Sequence, residues 1–425
     1  MHYLESMIMR GTWEMEAKVE LSKKNGFIVL KEYPDFLKVW IGRTISRFGD
    51  ALDGIAFMWL MYKLTGSTLL MGSVMAVSAV PSLFGMAAGV FVDRMDKKRV
   101  MVLMDFLRGI STAIIAILFI VDSLQVWQLF AFAFFNSICE VFSSPARSSA
   151  MQVLIKKEHY LTANSLSQAS GAIAEILGMG VAAAIIGPWG VGVAILIDAA
   201  TFIISGITAL IANIEKVISS TDKLNFSKFF IELFEGLKVI KSNSLIFINM
   251  IIGAAINILL APFNVLMPVY SDKILNSGEQ GYSIMGIGIM VGTVLGSLIV
   301  GQIGHKFKKS TVVITGFLVF AGSIIALGFV NTLFLAVFFS ATMGACLPVI
   351  SATGMSVIQT HTPKEKMGRV ISTMQTIGLI GMPVGFAASG IIGESLNVQY
   401  TFIAIGVIMF IICLLPLFNK EFRSN

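Results

Sequence analysis

The chain has 425 residues and a formal net charge of +6 at pH 7. Hydrophobic residues make up 56% of it, charged residues make up only 13%, and its mean hydropathy is +0.84. These values lie outside the range of soluble globular domains and indicate an integral membrane protein.

Residues 1–36 are charged and precede the first long apolar run. We expect no signal peptide here, because no apolar core leads to a small-residue cleavage site. The segment is interpreted as a cytoplasmic N-terminal arm. The alternative is an upstream start codon, with Met15 as the true first residue.

Twelve apolar segments follow, each about 20 residues long and therefore able to cross roughly 30 Å of hydrocarbon. Backbone polar groups in lipid must bond within their own segment, and no alternating strand pattern occurs, so these spans are predicted to be helices of an all-α membrane protein. The predicted limits of spans 1 to 12 are 38–62, 69–92, 100–121, 126–149, 164–187, 191–213, 245–270, 282–303, 311–330, 333–359, 369–393 and 397–418.

Basic residues are concentrated in alternate loops, namely those after spans 2, 4, 6, 8 and 10. The other loops contain only Lys63 and Lys273. The positive-inside rule then predicts a multi-pass plasma-membrane protein with both termini in the cytoplasm. The basic residues are dispersed over several loops, so we expect no nucleic-acid partner.

The chain also repeats itself. The turn after span 2 is echoed six helices later, after span 8, and the end of span 5 is echoed at the end of span 11, where Ala183-Ala-Ile-Ile-Gly187 corresponds to Ser389-Gly-Ile-Ile-Gly393. The repeat predicts two six-helix bundles, residues 37–213 and 245–418, related by a pseudo-twofold axis along the membrane normal. Residues 214–244 form a cytoplasmic connector with an amphipathic helix at 229–240, and 419–425 form a tail.

The turn after span 2 reads Gly89-Val-Phe-Val-Asp93-Arg94-Met-Asp-Lys97-Lys98-Arg99. In a six-plus-six arrangement it resembles the signature of the major facilitator superfamily, and the likeness covers about residues 36–420. Further segments are similar to the macrolide-efflux-like branch of drug:proton antiporters: Ile45-Ser-Arg47-Phe-Gly49-Asp50, Leu64-Thr-Gly66-Ser67, Ser144-Pro145-Ala-Arg147, Ala163-Asn164-Ser165 and Gly368-Arg369-Val370.

The resemblance implies a cytoplasmic gate motif made of Gly89, Asp93, Arg94, Lys97, Lys98 and Arg99. Its acid is expected to help latch the two halves, with a docking point at the start of span 11 near Gly368-Arg369. A glycine permits close helix approach, and an acid is stabilised near a helix N-terminus. The second half has His305 in place of Asp93, so this role is expected in the first half alone. The alternative is a topological stop signal.

Acidic residues in the middle of spans occur only in the first half, and each costs about 2.5–3.5 kcal/mol at the bilayer centre. Four of them are placed near mid-membrane and are candidates for proton coupling, because a carboxyl between a wet cavity and low dielectric can load and release protons. These are Asp50, Asp53, Glu140 and Glu175.

The other intramembrane charges are interpreted as structural: Arg43, Arg47, Asp105, Arg108 and Asp198. Arg43, Arg47 and Asp50 share one face of span 1. Asp105 and Arg108 are three residues apart and are expected to pair, as are Arg47 and Asp50.

Glycines repeat at four-residue spacing in spans 2, 8 and 11: Gly85 and Gly89, then Gly288, Gly292 and Gly296, then Gly381 and Gly385. Such faces let helix backbones approach closely. The superfamily fold places these spans between the halves, so we interpret the glycines as a rocking interface. The alternative is tight packing alone. Prolines are expected to kink spans 7, 10 and 11.

No phosphate-binding loop occurs, so ATP is excluded as the energy source and an ion gradient is expected. Isolated histidines and three scattered cysteines give no metal site, cofactor or disulfide. The sequence therefore favours a proton-coupled secondary transporter, not an enzyme, that exports bulky hydrophobic or amphipathic compounds. Alternatives are a siderophore exporter, a lysophospholipid transporter, or a receptor or scaffold that does not transport.

Overall fold

The computed structural model describes residues 28–215, 226–303, 309–362 and 366–414. These residues are nearly all helical and contain no strand, so the predicted all-α fold is confirmed. Seven of the described helices are long and apolar enough to cross a membrane, and three shorter apolar helices accompany them. The arm up to residue 27, His305 and the predicted tail lie outside the described residues.

The first half begins with a short helix, Ile28–Glu32, that precedes span 1. Its spans have the following bounds: span 1 is Pro34–Thr65, span 2 is Thr68–Ala79 followed by Gly85–Val92, span 3 is Lys97–Ile120, span 4 is Val126–Leu154, and spans 5 and 6 together are Tyr160–Ile211.

Two backbone features shape these helices. Span 2 was predicted to be continuous, but a 3₁₀ turn at Pro81–Phe84 divides it, because proline has no N–H for the helical ladder. Spans 5 and 6 run on without a loop and turn at Gly190, whose φ of 82° and ψ of 165° are accessible to glycine. The predicted ends of these two spans, 187 and 191, flank this turn.

The second half follows a connector helix, Phe226–Ser242, which contains the predicted amphipathic segment. Spans 7 to 12 are Ser244–Lys273, Gly278–Ile303, Lys309–Leu327, Leu333–His361, Met367–Ser395 and Val398–Leu414. Pro262, Pro268, Pro348 and Pro383 lie inside spans 7, 10 and 11, and the kinks expected at them stay a prediction.

We call the end of the bundle that carries Lys97, Lys98 and Arg99 the basic end, and the other the opposite end. The halves contact each other closely toward the opposite end, where spans 2 and 11 cross. A Cβ atom built on Gly72 would lie 2.5 Å from the backbone oxygen of Phe386, and one built on Gly390 would lie 2.8 Å from Cα of Leu69. Only glycine allows these backbones to approach so closely.

The glycines of span 8 that were predicted to lie between the halves pack instead within the second half. Cβ atoms built on Gly292 and Gly296 would collide with the backbone of Ala341 and Ala345 in span 10, and Gly288 faces Val337 of the same span. Span 10 belongs to the same half as span 8, so the tight packing is present but does not join the halves.

The glycines of span 11 behave in the same way, since Gly381 and Gly385 face Ile258 of span 7. A Cβ on Gly85 or Gly89 would meet no described atom within 4 Å. The expectation that all three glycine faces form the interface between the halves is therefore wrong for this structure. Small-residue spacing identifies a close helix contact but not the partner helix.

Gly292→Ala is expected to lower the unfolding temperature of the detergent-purified protein. The added methyl group would lie 1.9 Å from the Ala341 oxygen, and overpacking costs about 1–3 kcal/mol. The control is Gly253→Ala, because Gly253 has nothing within 4 Å of its added Cβ. Equal unfolding temperatures for the two variants would contradict the close contact between spans 8 and 10.

Candidate functional site

Charged side chains from spans 1, 3, 4, 5 and 6 form a network inside the first half. Arg108 lies at its centre: Nη2 contacts Asp50 Oδ1 at 2.9 Å, Nη1 contacts Glu140 Oε2 at 2.8 Å, and Nε donates to Asn136 Oδ1 at 2.5 Å. Its guanidinium carbon is 4.0 Å from the centroid of the Phe202 ring. Arg108 therefore joins spans 1, 3 and 4 through charge-assisted hydrogen bonds and a cation–π contact with span 6.

Arg147 forms a second centre toward the basic end of span 4. Its Nη2 lies 2.5 Å from Asp105 Oδ1, and its Nη1 lies 3.5 Å from Glu140 Oε2. The other oxygen of Asp105 accepts a hydrogen bond of 2.7 Å from the Ser205 hydroxyl. The Asp105 side chain is 1% exposed, and the ion pair and hydrogen bond satisfy both of its oxygens.

Span 1 contributes two further arginines on its polar face. Arg43 lies 3.6 Å from both Asp50 and Glu140, and Arg47 lies 2.6 Å from Glu175 Oε1 in span 5. Arg43 and Asp50 thus face the network together, as the shared helix face predicted, whereas Arg47 turns to span 5.

Two of the expected ion pairs are wrong. Asp105 pairs with Arg147 instead of Arg108, and Arg47 pairs with Glu175 instead of Asp50. Glu140 and Glu175 have no basic neighbour in sequence, yet both receive arginine partners from other spans. Neighbouring positions on one helix can pair, but here partners from packed helices replace the local ones.

Asp53 and Asp198 are the two acids of the network without an arginine partner within 4.0 Å among the described residues. Asp198 is fully buried, its Oδ1 accepts from the Thr201 hydroxyl at 3.2 Å, and its Oδ2 has no hydrogen-bond partner. Oδ1 of Asp53 is likewise buried and without a partner. A Cβ on Gly49 would lie 2.2 Å from Asp198 Oδ1, so span 1 touches span 6 at this carboxyl.

A cavity of about 220 Å³ lies beside the network at the basic end. It is bounded by the first turns of spans 1 and 5 and the last turns of span 4. Its wall includes Phe36, Trp40, Arg43, Arg47, Arg147, Met151, Asn164 and Gln168. The cavity therefore brings two arginines of span 1 and one of span 4 next to apolar and neutral polar side chains.

The opposite end is closed by polar contacts between the halves. The Ser67 hydroxyl donates to Glu394 Oε1 at 2.7 Å, and the Tyr62 hydroxyl donates to Asp272 Oδ2 at 2.9 Å. Lys63 Nζ lies 3.9 Å from the other oxygen of Asp272. Sequence reasoning did not find these contacts, because they join loop-proximal residues far apart in the chain.

The predicted gate motif forms a capped turn. The Asp96 side chain accepts from the backbone N–H of Arg99 at 3.2 Å and caps span 3, and the buried Lys97 donates from Nζ to the backbone oxygen of Asp93 at 2.8 Å. These bonds hold the turn between spans 2 and 3 in shape.

The expected docking of Asp93 at the start of span 11 stays a prediction, because another element covers that helix end here. Glu235 of the connector helix lies 2.6 Å from Arg369 Nη1, and a Cβ on Gly236 would lie 2.7 Å from the Arg369 oxygen. The connector helix is thus packed on the first turns of span 11.

The described residues contain no group of three or more His, Cys, Asp or Glu side chains that could hold a metal ion. Cys139, Cys346 and Cys413 are buried and free.

Residues 31–423 match the family described as Transmembrane secretion effector, MFS_3. The chain belongs to this family of major facilitator superfamily transporters. The protein is therefore a multi-pass membrane protein, and the superfamily resemblance of its charged turn is confirmed. The charge network and the cavity of this MFS_3 protein thus lie inside a transporter fold.

Known proteins of similar length resemble this MFS_3 member. It is 26% identical to macrolide efflux protein A of Streptococcus pyogenes over 389 residues, which are 91% of this chain and 96% of that protein. It is 22% identical to the multidrug efflux pump Tap of Mycolicibacterium fortuitum over 88% of this chain and 93% of that protein. The crystal structure of the nucleoside transporter NupG superposes with a TM-score of 0.73 at 14% identity, covering 92% of this chain and 98% of NupG, which supports the fold alone.

Arg108→Met is expected to destabilise the protein by about 3–5 kcal/mol, because it leaves Asp50 and Glu140 without their nearest cation in a buried site. Thermal unfolding in detergent measures the effect. Arg99→Met is the control, since that side chain is 86% exposed and lies 3.5 Å from Asp96. A fully stable Arg108→Met protein would show that the network does not hold the first half together.

Proposed function

We propose that the protein is a proton-coupled secondary transporter that exports bulky hydrophobic or amphipathic compounds across the plasma membrane by alternating access. The observation that carries the proposal is a network of six acids and four arginines inside the first half, next to a cavity that reaches one end of the bundle. Charges at membrane depth are costly and mark ion or substrate pathways. Relatives described as a macrolide efflux protein and a multidrug efflux pump support export.

The two ends of the bundle suit a transport cycle. With both termini in the cytoplasm, the basic end, where the cavity lies, faces inward and the closed opposite end faces outward. The alternate state requires the halves to part where Gly72 meets Gly390 and to close near Gly85 and Gly89, where space is present. In that state Asp93 would reach the start of span 11 and act as the predicted latch.

We assign the coupling of proton movement to cargo transport to acidic residues of the first half. Asp50, Asp53, Glu140 and Glu175 are the candidate proton carriers, because the second half has no acid in the middle of a described span. A carboxyl that exchanges between water and a low-dielectric interior favours different protonation in each state. Protons entering down their gradient would then drive the cargo outward.

The cavity wall suits an amphipathic cargo. Aromatic and aliphatic side chains such as Phe36, Trp40 and Met151 alternate there with Asn164 and Gln168. Arg43, Arg47 and Arg147 lie in the same wall, so the cavity offers apolar contacts together with many polar and cationic groups. Siderophores and lysophospholipids are also amphipathic, so the cargo panel below includes them. A receptor or scaffold has no need of a one-sided cavity beside buried charges.

Proteoliposomes with an imposed pH gradient test the proposal, with macrolides, other drugs, siderophores and lysolipids as cargo. We expect cargo-dependent proton movement by the wild type. Asp50→Asn, Glu140→Gln and Glu175→Gln should lower transport about tenfold or more, since a lost interaction of about 1.4 kcal/mol is a factor of ten in rate. Glu158→Gln, an exposed site, is the control. Absence of proton movement with every cargo, or unchanged coupling in all three variants, would overturn the proposal.

A cross-link at the opposite end tests alternating access. Ser67 and Glu394 touch across the halves, so a Ser67→Cys, Glu394→Cys double variant should be joined by a short thiol cross-linker. We expect transport to stop after cross-linking, because the outward-facing state can no longer form, and to return if the linker is cleavable. Each single-cysteine variant is the control. Full transport by a cross-linked protein would contradict the rocking cycle.

A further inference from the structure

We propose that Asp53 and Asp198, at the contact of spans 1 and 6, are the carboxyls that bind the transported proton, whereas the arginine-paired acids remain ionised and structural. This inference rests on the proposed function and narrows it. It changes the assignment of Asp198, which sequence reasoning had placed among the structural charges, and removes Asp50, Glu140 and Glu175 from the proton carriers.

The first step is the pairing of charges. Every arginine of the network lies within 3.6 Å of a carboxylate, and four acids receive all of these contacts: Asp50, Asp105, Glu140 and Glu175. The network therefore contains two more acids than arginines. An unpaired buried carboxylate is strongly unfavourable, so a surplus acid in such a place is stabilised by taking up a proton.

The second step is the surroundings of Asp198. Its side chain has no exposed surface, and Oδ2 has no hydrogen-bond partner among the described residues. The charged groups that interact with it electrostatically are Asp53 and Asp50 of span 1 and Arg108 of span 3. Arg108 already contacts Asp50 and Glu140 directly, so it does not bond to Asp198. The unpartnered oxygen is therefore the atom that would carry the proton.

The third step is the position of Asp53 relative to Asp198. Gly49 touches Asp198, and Asp53 follows Gly49 by four residues, which places it one turn further along the same face of span 1. Asp53 is half-buried with Oδ1 sealed, and the neighbouring Gly54 is exposed, with nothing within 4 Å of an added Cβ. Asp53 therefore lies at the boundary between accessible space and the sealed interior that holds Asp198.

These positions give the two acids different tasks. Asp53 receives the proton from water, and Asp198 holds it on its unpartnered Oδ2, where the nearby negative charge of Asp53 favours keeping it. Uptake forms one O–H bond on a carboxylate from a hydronium ion and leaves a water molecule, and release reverses this step. The arginine-paired acids keep the five spans together while the proton is bound and released.

A stability comparison tests the charge state of Asp198. Asparagine resembles a protonated aspartate, so Asp198→Asn should keep the unfolding temperature near that of the wild type. Asp105→Asn is the matched control: this aspartate is equally buried but lies 2.5 Å from Arg147, and its neutralisation should clearly lower the unfolding temperature. Infrared difference spectra between low and high pH should contain a protonated-carboxyl carbonyl band that weakens in Asp53→Asn and in Asp198→Asn, but persists in Asp105→Asn.

A transport assay then distinguishes failure of this inference from failure of the proposed function on which it rests. In proteoliposomes with a labelled macrolide, Asp53→Asn and Asp198→Asn should lose uptake driven by the pH gradient but retain exchange of labelled for unlabelled cargo, because exchange needs no net proton movement. Asp50→Asn should lose both activities. A wild type without proton-coupled flux of any cargo in the panel would overturn the proposed function, although the infrared band would still test the buried pair. A coupled wild type with fully coupled Asp53→Asn and Asp198→Asn variants, or an unchanged band in both, would overturn the inference alone.

Discussion

The structure of the first half depends on the rule that a charge removed from water needs a partner. Arg108 illustrates it, because one guanidinium group satisfies acids from spans 1 and 4 and stacks on an aromatic ring of span 6. Helices in lipid gain little from apolar contact with one another, so such polar contacts determine which spans associate. The same contacts place a cluster of acids and arginines beside the cavity.

The helices of the two halves are held together by different kinds of contact. In the second half, glycines at 288, 292 and 296 let spans 8 and 10 meet backbone to backbone, with few charges inside. The first half uses ion pairs, which are directional and depend on protonation. The described cavity and the buried acids and arginines beside it both belong to the first half.

Periodicity and hydropathy predicted the fold well, because lipid imposes length and internal hydrogen bonding on every span. The turn between spans 5 and 6 fell where Gly190 allows it. The sequence did not predict as well which polar and charged side chains would pair with each other. Arg147 was noticed only within a family motif, although it neutralises Asp105, and Tyr62 gave no signal that it would meet Asp272. Such pairs are decided by the packing of helices far apart in sequence, which spacing along one helix does not encode.

The connector helix is held to span 11 by the ion pair of Glu235 with Arg369 and by the close seat of Gly236 against Thr373. By its contacts, therefore, this helix belongs to the second half, although it lies in the segment that links the two. The border between the two halves, judged by these contacts, then falls before Phe226 and not at the first membrane residue of span 7. A displacement of this helix would therefore be transmitted directly to span 11.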